Sequence, residues 1–198
     1  MFNNHFSDNK QKCRDLVAEQ VSKLEGEVNV FTLPSTNFIL EKTLLKKPGV
    51  CLYGAENNLR VYKDQGKNTI SKQMVLKKGD GFDVIKKSKK RFDVVWMDLC
   101  SPLRHSVLNN ILSLVQSNSL ADSCYFNVTI ACAREMNYQS LLSFYKAKNL
   151  KHFRDKIFPQ LVKQFASSCG RECKLIKTIN YKESGRAIPM KMLTFKIN

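Results

Sequence analysis

Three acidic residues each close a predicted strand: Glu56 in VCLYGAE, Asp80 in QMVLKKGD and Asp98 in FDVVWMD. A carboxylate at the tip of a buried strand is positioned by a rigid sheet, at the edge where open α/β folds bind ligands. Such a group can accept hydrogen bonds from hydroxyl or amine groups of a ligand. A single acid at a strand end often only caps the next helix, so the recurrence at three strand ends carries the prediction.

Alternating strand and helix patterns position these acids. The predicted strands are residues 28–35, 49–56, 73–80, 91–98 and 124–133. The predicted helices between them are residues 37–49, 57–66, 81–90 and 105–118. Most of these strands are apolar almost throughout, which is typical of a parallel sheet covered by helices on both faces.

The two ends of the chain complete the prediction. Residues 7–26 begin with a capping serine, place apolar residues at helical spacing and end on glycine, which predicts an amphipathic helix packed on the domain. After a helix over 150–170 that is interrupted near Pro159, strands over 173–184 and 188–198 are joined by a tight turn, so they must pair antiparallel. We therefore predict one α/β domain over residues 1–198. Its expected architecture is a Rossmann-like three-layer sandwich with a mostly parallel sheet and an antiparallel C-terminal hairpin strand.

The composition bounds the class of protein. No apolar run reaches the length of about 18 residues that a membrane helix needs, and the start MFNNHFSDNKQK is too polar for a signal peptide. We expect a soluble, intracellular protein of the cytoplasm or nucleus. The seven cysteines are odd in number and scattered, which favours reduced core thiols. The close pair Cys169 and Cys173 lacks further ligands, so we predict no metal site.

The charge of the chain indicates a polyanionic partner. There are 33 Lys and Arg against 17 Asp and Glu, a net charge of +16. Phosphate contacts by such residues release counterions, which favours nucleic acid, DNA or RNA, with an acidic protein as the alternative partner. The densest predicted contact cluster is Lys86, Lys87, Lys89, Lys90 and Arg91. Arg134, at the exit of the fifth strand, has two interpretations of equal weight: a local ion pair or a phosphate contact.

Five strand–helix units followed by a terminal β-hairpin resemble the class I S-adenosylmethionine-dependent methyltransferases over nearly the whole chain. In that family the second strand ends in an acid that binds the ribose hydroxyls, and the third in an acid near the adenine. The fourth strand ends in an acidic or amide-bearing motif that faces the methyl group. The resemblance implies these roles for Glu56, Asp80 and Asp98, with Asn57 and Phe82 as further cofactor contacts.

The first loop departs from the family pattern. Where the family has a glycine-rich run, this chain has FTLPSTNF, and Pro34 also removes a possible backbone donor. Thr32, Pro34, Ser35 and Asn37 are the predicted cofactor contacts here, because this stretch offers hydroxyl, amide and backbone donors before the next helix. The pocket is either remodelled or lost, and spacing does not decide between these.

Asp98 is the predicted catalytic residue, as the group that accepts a hydrogen bond from the target amine or hydroxyl. The nucleic-acid amine methyltransferases carry Asp or Asn followed by two prolines and an aromatic residue; DLCSP keeps the acid and one later proline. It lacks the aromatic on which a flipped base could stack. Cys100 with His105 as a nucleophile pair is the weaker interpretation, because nothing else activates the thiol.

Three functional hypotheses follow. The leading one is a methyltransferase-like protein that uses S-adenosylmethionine and acts on or binds nucleic acid. The second is a non-catalytic protein that keeps a degenerate methyltransferase scaffold and binds nucleic acid or protein through its basic surface. The third is a Rossmann-like enzyme that uses a different nucleotide.

Overall fold

The computed structural model of the protein describes residues 8–132, 138–182 and 188–198. Seven strands form one sheet in the order β3-β2-β1-β4-β5-β7-β6. Their bounds are β1 Val28–Thr32, β2 Val50–Glu56, β3 Val75–Lys78, β4 Phe92–Asp98, β5 Leu120–Ala131, β6 Cys173–Lys182 and β7 Pro189–Ile197.

The topology of the sheet confirms the predicted architecture. The strand β1 pairs in parallel with β2 on one side and with β4 on the other, so the strand order reverses between β1 and β4. The strand β7 alone runs antiparallel, inserted between β5 and β6. Open α/β sheets bind ligands where the order reverses, outside the carboxyl ends of the strands.

Helices cover both faces of the sheet, because the strands alternate apolar side chains between the two sides. The helices are α1 Asp8–Ser22, α2 Ile39–Leu44, α3 Leu59–Gly66, α4 Gly81–Lys87, α5 His105–Val115, α6 Gln139–Phe144, α7 Leu150–His152 and α8 Phe158–Ser167. One core joins α4, α5, α6 and α8 to side chains such as Val95 and Met97. The other core joins α1 and α2 to the alternate residues Val94 and Trp96.

Several local features differ from the sequence prediction, among them an unpredicted 3₁₀ helix over Thr69–Gln73. The strand β5 begins at Leu120, four residues before the predicted start, because it pairs with Phe92 at the beginning of β4. The helix α6 was not predicted, since a six-residue helix shows too little periodicity. A π-helical turn, Phe153–Ile157, interrupts the predicted long helix just before Pro159. The predicted hairpin turn at residues 185–187 lies outside the described residues.

The structure gives the burial of the cysteines and the length and polarity of the helices. Burial raises the pKa of Cys13 and Cys124 to about 12 and the pKa of Cys173 to about 11, as expected for thiols in a core. Cys100 and Cys169 are exposed, so the expectation of core thiols does not hold for them. Over the described part of the chain, no helix is both long and apolar enough to cross a membrane. The same residues contain no cluster of three or more potential metal-binding side chains.

Candidate active site

A cavity of about 690 Å³ lies at the carboxyl ends of β1, β2, β3 and β4. Its size falls within the roughly 300–1,000 Å³ typical of ligand pockets. Its lining includes Lys10, Arg14, Leu33, Ser35, Glu41, Glu56, Asn57, Asp80, Phe82, Met97, Asp98, Cys100 and Ser106. The lining combines apolar side chains with six charged ones, which suits a polar ligand.

The three acids predicted at successive strand ends meet in this cavity. Glu56, Asp80 and Asp98 all line it, although 42 residues separate the first from the last. The reason is topological: parallel strands joined by helical crossovers deliver all their carboxyl ends to one edge of the sheet. The cavity therefore offers carboxylates at three separate places around one ligand.

Local hydrogen bonds position two of these acids. The Oε1 atom of Glu56 accepts a hydrogen bond from the backbone N–H of Asn58 at 2.6 Å, which sets the direction of the carboxylate. The Oδ1 atom of Asp80 accepts hydrogen bonds from the backbone N–H groups of Phe82 and Asp83 at 2.9 and 3.4 Å. Asp80 is thus the N-cap of α4, and it also lines the cavity.

Asp98 at the tip of β4 pairs with a cation from α1. The Nζ atom of Lys10 lies 2.7 Å from Oδ2 of Asp98, and both side chains are largely buried, at 16% and 11% exposure. Cys100, two residues on, has a left-handed backbone with φ 48° and donates a long S–H hydrogen bond of 3.5 Å to Oδ1 of Asp98. The tip of β4 is therefore held by contacts from two sides.

The chain is similar to known proteins in structure but not in sequence. No protein-family model matches the chain, and no curated protein matches it significantly in sequence. The Trm5b structure from Pyrococcus abyssi matches 98% of this chain and 50% of its own, with a TM-score of 0.62 and 15% identity. The TYW2 structure from M. jannaschii in complex with AdoMet matches 99% of this chain and 78% of its own, with a TM-score of 0.60 and 14% identity.

A third match is the fibrillarin pre-rRNA processing protein of Methanococcus jannaschii, over 85% of this chain and 66% of its own, with a TM-score of 0.56 and 11% identity. Other matches include proteins named as methyltransferases. The strand order and the antiparallel β7 agree with the family resemblance of the sequence. The chain has the class I S-adenosylmethionine-dependent methyltransferase fold. The chain spans 50% of the Trm5b structure and 64% of a further matched structure from Pyrococcus horikoshii, so it is shorter than both of these proteins.

Within the class I methyltransferase fold, the glycine-free first loop is built around Pro34. The side-chain amide of Gln65 donates a 2.7 Å hydrogen bond to the Pro34 carbonyl. A Cβ atom placed on Gly54 would lie 3.1 Å from Cδ of Pro34, so the proline ring packs directly on the backbone of β2. Of the four residues predicted in this loop, Ser35 lines the cavity, whereas Thr32 and Pro34 are buried and Asn37 is exposed outside the lining.

Glu41 is a cavity residue that the sequence prediction missed. It lies on α2, is 2% exposed, and its Oε1 accepts a 2.8 Å hydrogen bond from the hydroxyl of Thr32. Burial raises the pKa of this carboxyl, and the hydrogen bond from Thr32 and the charge of Arg14 oppose that shift. The available signal was its spacing of three and four residues from Leu44 and Leu45, which places it on the apolar side of α2.

The predicted basic cluster lies at the other edge of the sheet. Lys86 and Lys87 end α4, and Lys89, Lys90 and Arg91 lead into β4, whose far end carries Asp98. At about 3.3 Å per residue, β4 places Arg91 roughly 20 Å from the cavity edge. Lys86 and Lys87 are nearer to it, because they end the short helix α4, which begins at the cavity residue Gly81. Two of the charges are paired, Lys90 with Glu27 at 3.5 Å and Arg91 with Asp122. Arg134 lies outside the described residues.

Proposed function

We propose that this protein binds S-adenosylmethionine in the cavity at the strand-order reversal and acts as a methyltransferase-like protein on nucleic acid. The observation that carries the proposal is the meeting of Glu56, Asp80 and Asp98 in one cavity of a class I methyltransferase fold. The matched TYW2 structure, which contains AdoMet, supports this choice of cofactor. Bound S-adenosylmethionine would supply an electrophilic methyl group.

The residues around the cavity fit the chemistry of this cofactor. Glu56 already has one oxygen directed by the Asn58 N–H, and a carboxylate held in this way can accept hydrogen bonds from ribose hydroxyls. Phe82 is only 4% exposed and lines the cavity next to Gly81, against whose backbone the side chain of Leu33 packs closely. Asn57 and Ser35 offer further polar contacts on the same rim.

Asp98 is assigned the positioning of the methyl acceptor. A carboxylate at the tip of β4 can accept a hydrogen bond from the N–H or O–H group that attacks the methyl carbon. The ion pair with Lys10 keeps this carboxylate oriented and balances its charge inside the cavity. An acceptor group that reaches Asp98 must share it with Lys10 or displace the lysine.

The basic character of the chain supports nucleic acid as the partner. A net charge of +16 favours binding to phosphates, and the fibrillarin match is named as a pre-rRNA processing protein. The exposed residues Lys87, Lys89 and Lys90 are the proposed phosphate contacts that remain outside the cavity. Lys89 and Lys90 lie before the start of β4 and Asp98 lies at its end, so a nucleic acid that contacts both would extend along the length of this strand.

Calorimetry tests the cofactor assignment. Titration with S-adenosylmethionine and its demethylated product is expected to show micromolar binding that Glu56→Ala abolishes. Glu27→Ala is the matched control, because Glu27 is an exposed acid whose partner Lys90 lies at the opposite edge. Absence of heat at millimolar ligand would overturn the assignment and leave the non-catalytic scaffold as the explanation.

Salt dependence tests the partner assignment. The affinity for random-sequence DNA and RNA is expected to fall linearly with the logarithm of salt concentration, with a slope of about 0.7–0.9 per phosphate contact. Replacing Lys87 and Lys89 together by alanine is expected to reduce that slope. A flat slope for the unaltered protein would remove nucleic acid from the proposal.

A further inference from the structure

Phe144 at the end of α6 is an exposed aromatic side chain with aromatic support. It is 74% exposed, whereas the other large exposed apolar side chains among the described residues reach at most 47%. The ring of Tyr145 meets it edge-on at 4.8 Å, and the ring of His105 does so at 6.4 Å. Tyr145 is in turn anchored on the buried ring of Phe153 at 5.4 Å. Tyr145 therefore connects the exposed ring of Phe144 to the hydrophobic core.

This aromatic group lies beside the cavity. His105 is the first residue of α5, and its neighbour Ser106 lines the cavity together with Val107 and Asn110. The helix α5 follows the tip of β4, so its N-terminus is at the carboxyl edge of the sheet. The contact between His105 and Phe144 therefore places the exposed ring at the rim of the proposed methyl-transfer site.

Exposed cations lie close in sequence to Phe144 and to His105. The segments 99–121 and 138–154 contain no Asp or Glu, and they carry the exposed residues Arg104, Lys146, Lys148 and Lys151. The turn after α6 is well defined: Lys146 has φ 50°, and Nδ1 of His152 accepts a 3.1 Å hydrogen bond from the Lys148 N–H. A ring with exposed cations two and four residues further along the chain suits a base flanked by phosphates.

We propose that Phe144, braced by His105 and Tyr145, is the stacking platform for an unpaired base of a single-stranded nucleic acid. Arg104, Lys146 and Lys148 contact the adjacent phosphates. Stacking on an aromatic ring together with cationic backbone contacts is how proteins bind single strands. The platform supplies, from α6, the aromatic group that DLCSP lacks. This inference rests on the proposed action on nucleic acid and specifies the form of the substrate.

Fluorescence measurements test the platform. Single-stranded DNA and RNA oligonucleotides that carry 2-aminopurine are titrated with the protein, and anisotropy reports binding while quenching reports stacking. Phe144→Ala is expected to weaken binding about tenfold and to remove the quenching, since stacking on one aromatic ring has roughly this effect. Phe144→Tyr is expected to restore both. Leu175→Ala, an exposed apolar residue on the edge strand β6, is the matched control.

The outcomes separate this inference from the proposed function. Unchanged S-adenosylmethionine binding by Phe144→Ala is expected, because Phe144 does not line the cavity. If the unaltered protein binds neither DNA nor RNA, but binds an acidic peptide, the nucleic acid assignment itself fails. If it binds single strands and Phe144→Ala binds them with equal affinity and quenching, only the platform is overturned. Binding confined to duplexes would also overturn the platform.

Discussion

The ammonium group of Lys10 lies 2.7 Å from the carboxylate of Asp98, so a helix from the start of the chain reaches the tip of the fourth strand. Arg14, one turn further along α1, lines the same cavity. The helix therefore contributes two cations to a site whose other charged groups are acids. The net charge of the cavity therefore depends on where α1 packs on the sheet.

Removing the Lys10 charge should change the discrimination between cofactor and product. S-adenosylmethionine carries a positive sulfonium, whereas its demethylated product has a neutral thioether. Lys10→Met leaves Asp98 unbalanced, so we expect the affinity ratio of cofactor to product to rise by about fivefold, the effect of roughly 1 kcal/mol of electrostatic energy. Calorimetry measures both affinities. Lys23→Met, at an exposed residue just after α1, is the control, and an unchanged ratio in Lys10→Met would contradict the prediction.

Asp80 allows its two roles to be separated. Asparagine caps a helix about as well as aspartate, so Asp80→Asn should keep the stability of α4, while Asp80→Ala should lose about 1 kcal/mol. We expect both variants to lose cofactor affinity, because both remove the carboxylate. Thermal unfolding and calorimetry give the two readouts. Wild-type affinity in Asp80→Asn would show that the residue is only a cap.

The close packing of Gly81 predicts a steric effect on binding. A Cβ atom at this position would lie 2.6 Å from Cδ2 of Leu33 and 3.4 Å from Cε of Met97, and both side chains line the cavity. Gly81→Ala should push Leu33 into the cavity and weaken cofactor binding about tenfold, with a cost in stability below about 2 kcal/mol because Leu33 can rotate. Gly66→Ala is the control, since nothing lies within 4 Å of its Cβ position. Equal cofactor affinity in Gly81→Ala and Gly66→Ala would argue that Leu33 does not narrow the cavity.

The buried carboxyl of Glu41 predicts a pH dependence of stability. Burial raises its pKa above the unfolded value near 4.5, so the folded state holds the proton more tightly. The free energy of unfolding therefore falls as the pH rises above about 4.5 through the folded pKa. Glu41→Gln can keep the hydrogen bond from Thr32 without the charge, so it should raise stability at pH 8 more than at pH 4.5. Urea unfolding at both pH values checks this, and an equal effect at both would refute it.

Gln20 and Asn127 tie α1 to the sheet. Their side-chain amides exchange two hydrogen bonds, of 2.8 and 3.2 Å, and both residues are buried. Gln20→Ala leaves one N–H of the Asn127 amide without a partner, while Val95 and Thr194 still bond the amide, so it should cost about 1–3 kcal/mol in the free energy of unfolding. Glu19→Ala removes only an exposed ion pair that solvent screens, so it should cost much less than Gln20→Ala. Equal denaturant midpoints for the two variants would count against this tether.

The sequence by itself determined the order and type of the main elements and the three strand-end acids. Periodicity is a local property, and the connection rules for parallel strands then place Glu56, Asp80 and Asp98 on one edge. The glycine-free first loop was equally visible in FTLPSTNF. The sequence did not show whether such a loop leaves a cavity, because that depends on how Pro34 packs against Gly54.

Only the tertiary structure decided which distant residues complete the site. Lys10, Glu41 and Phe144 reach the cavity or its rim because α1, α2 and α6 pack at particular positions on the sheet, and no local pattern encodes those positions. The same reason explains the basic cluster: its charge was evident, but its place at the opposite edge follows from the direction of β4. Local spacing reports which face of an element is buried, whereas the contacts between elements are set by the packing of the whole core.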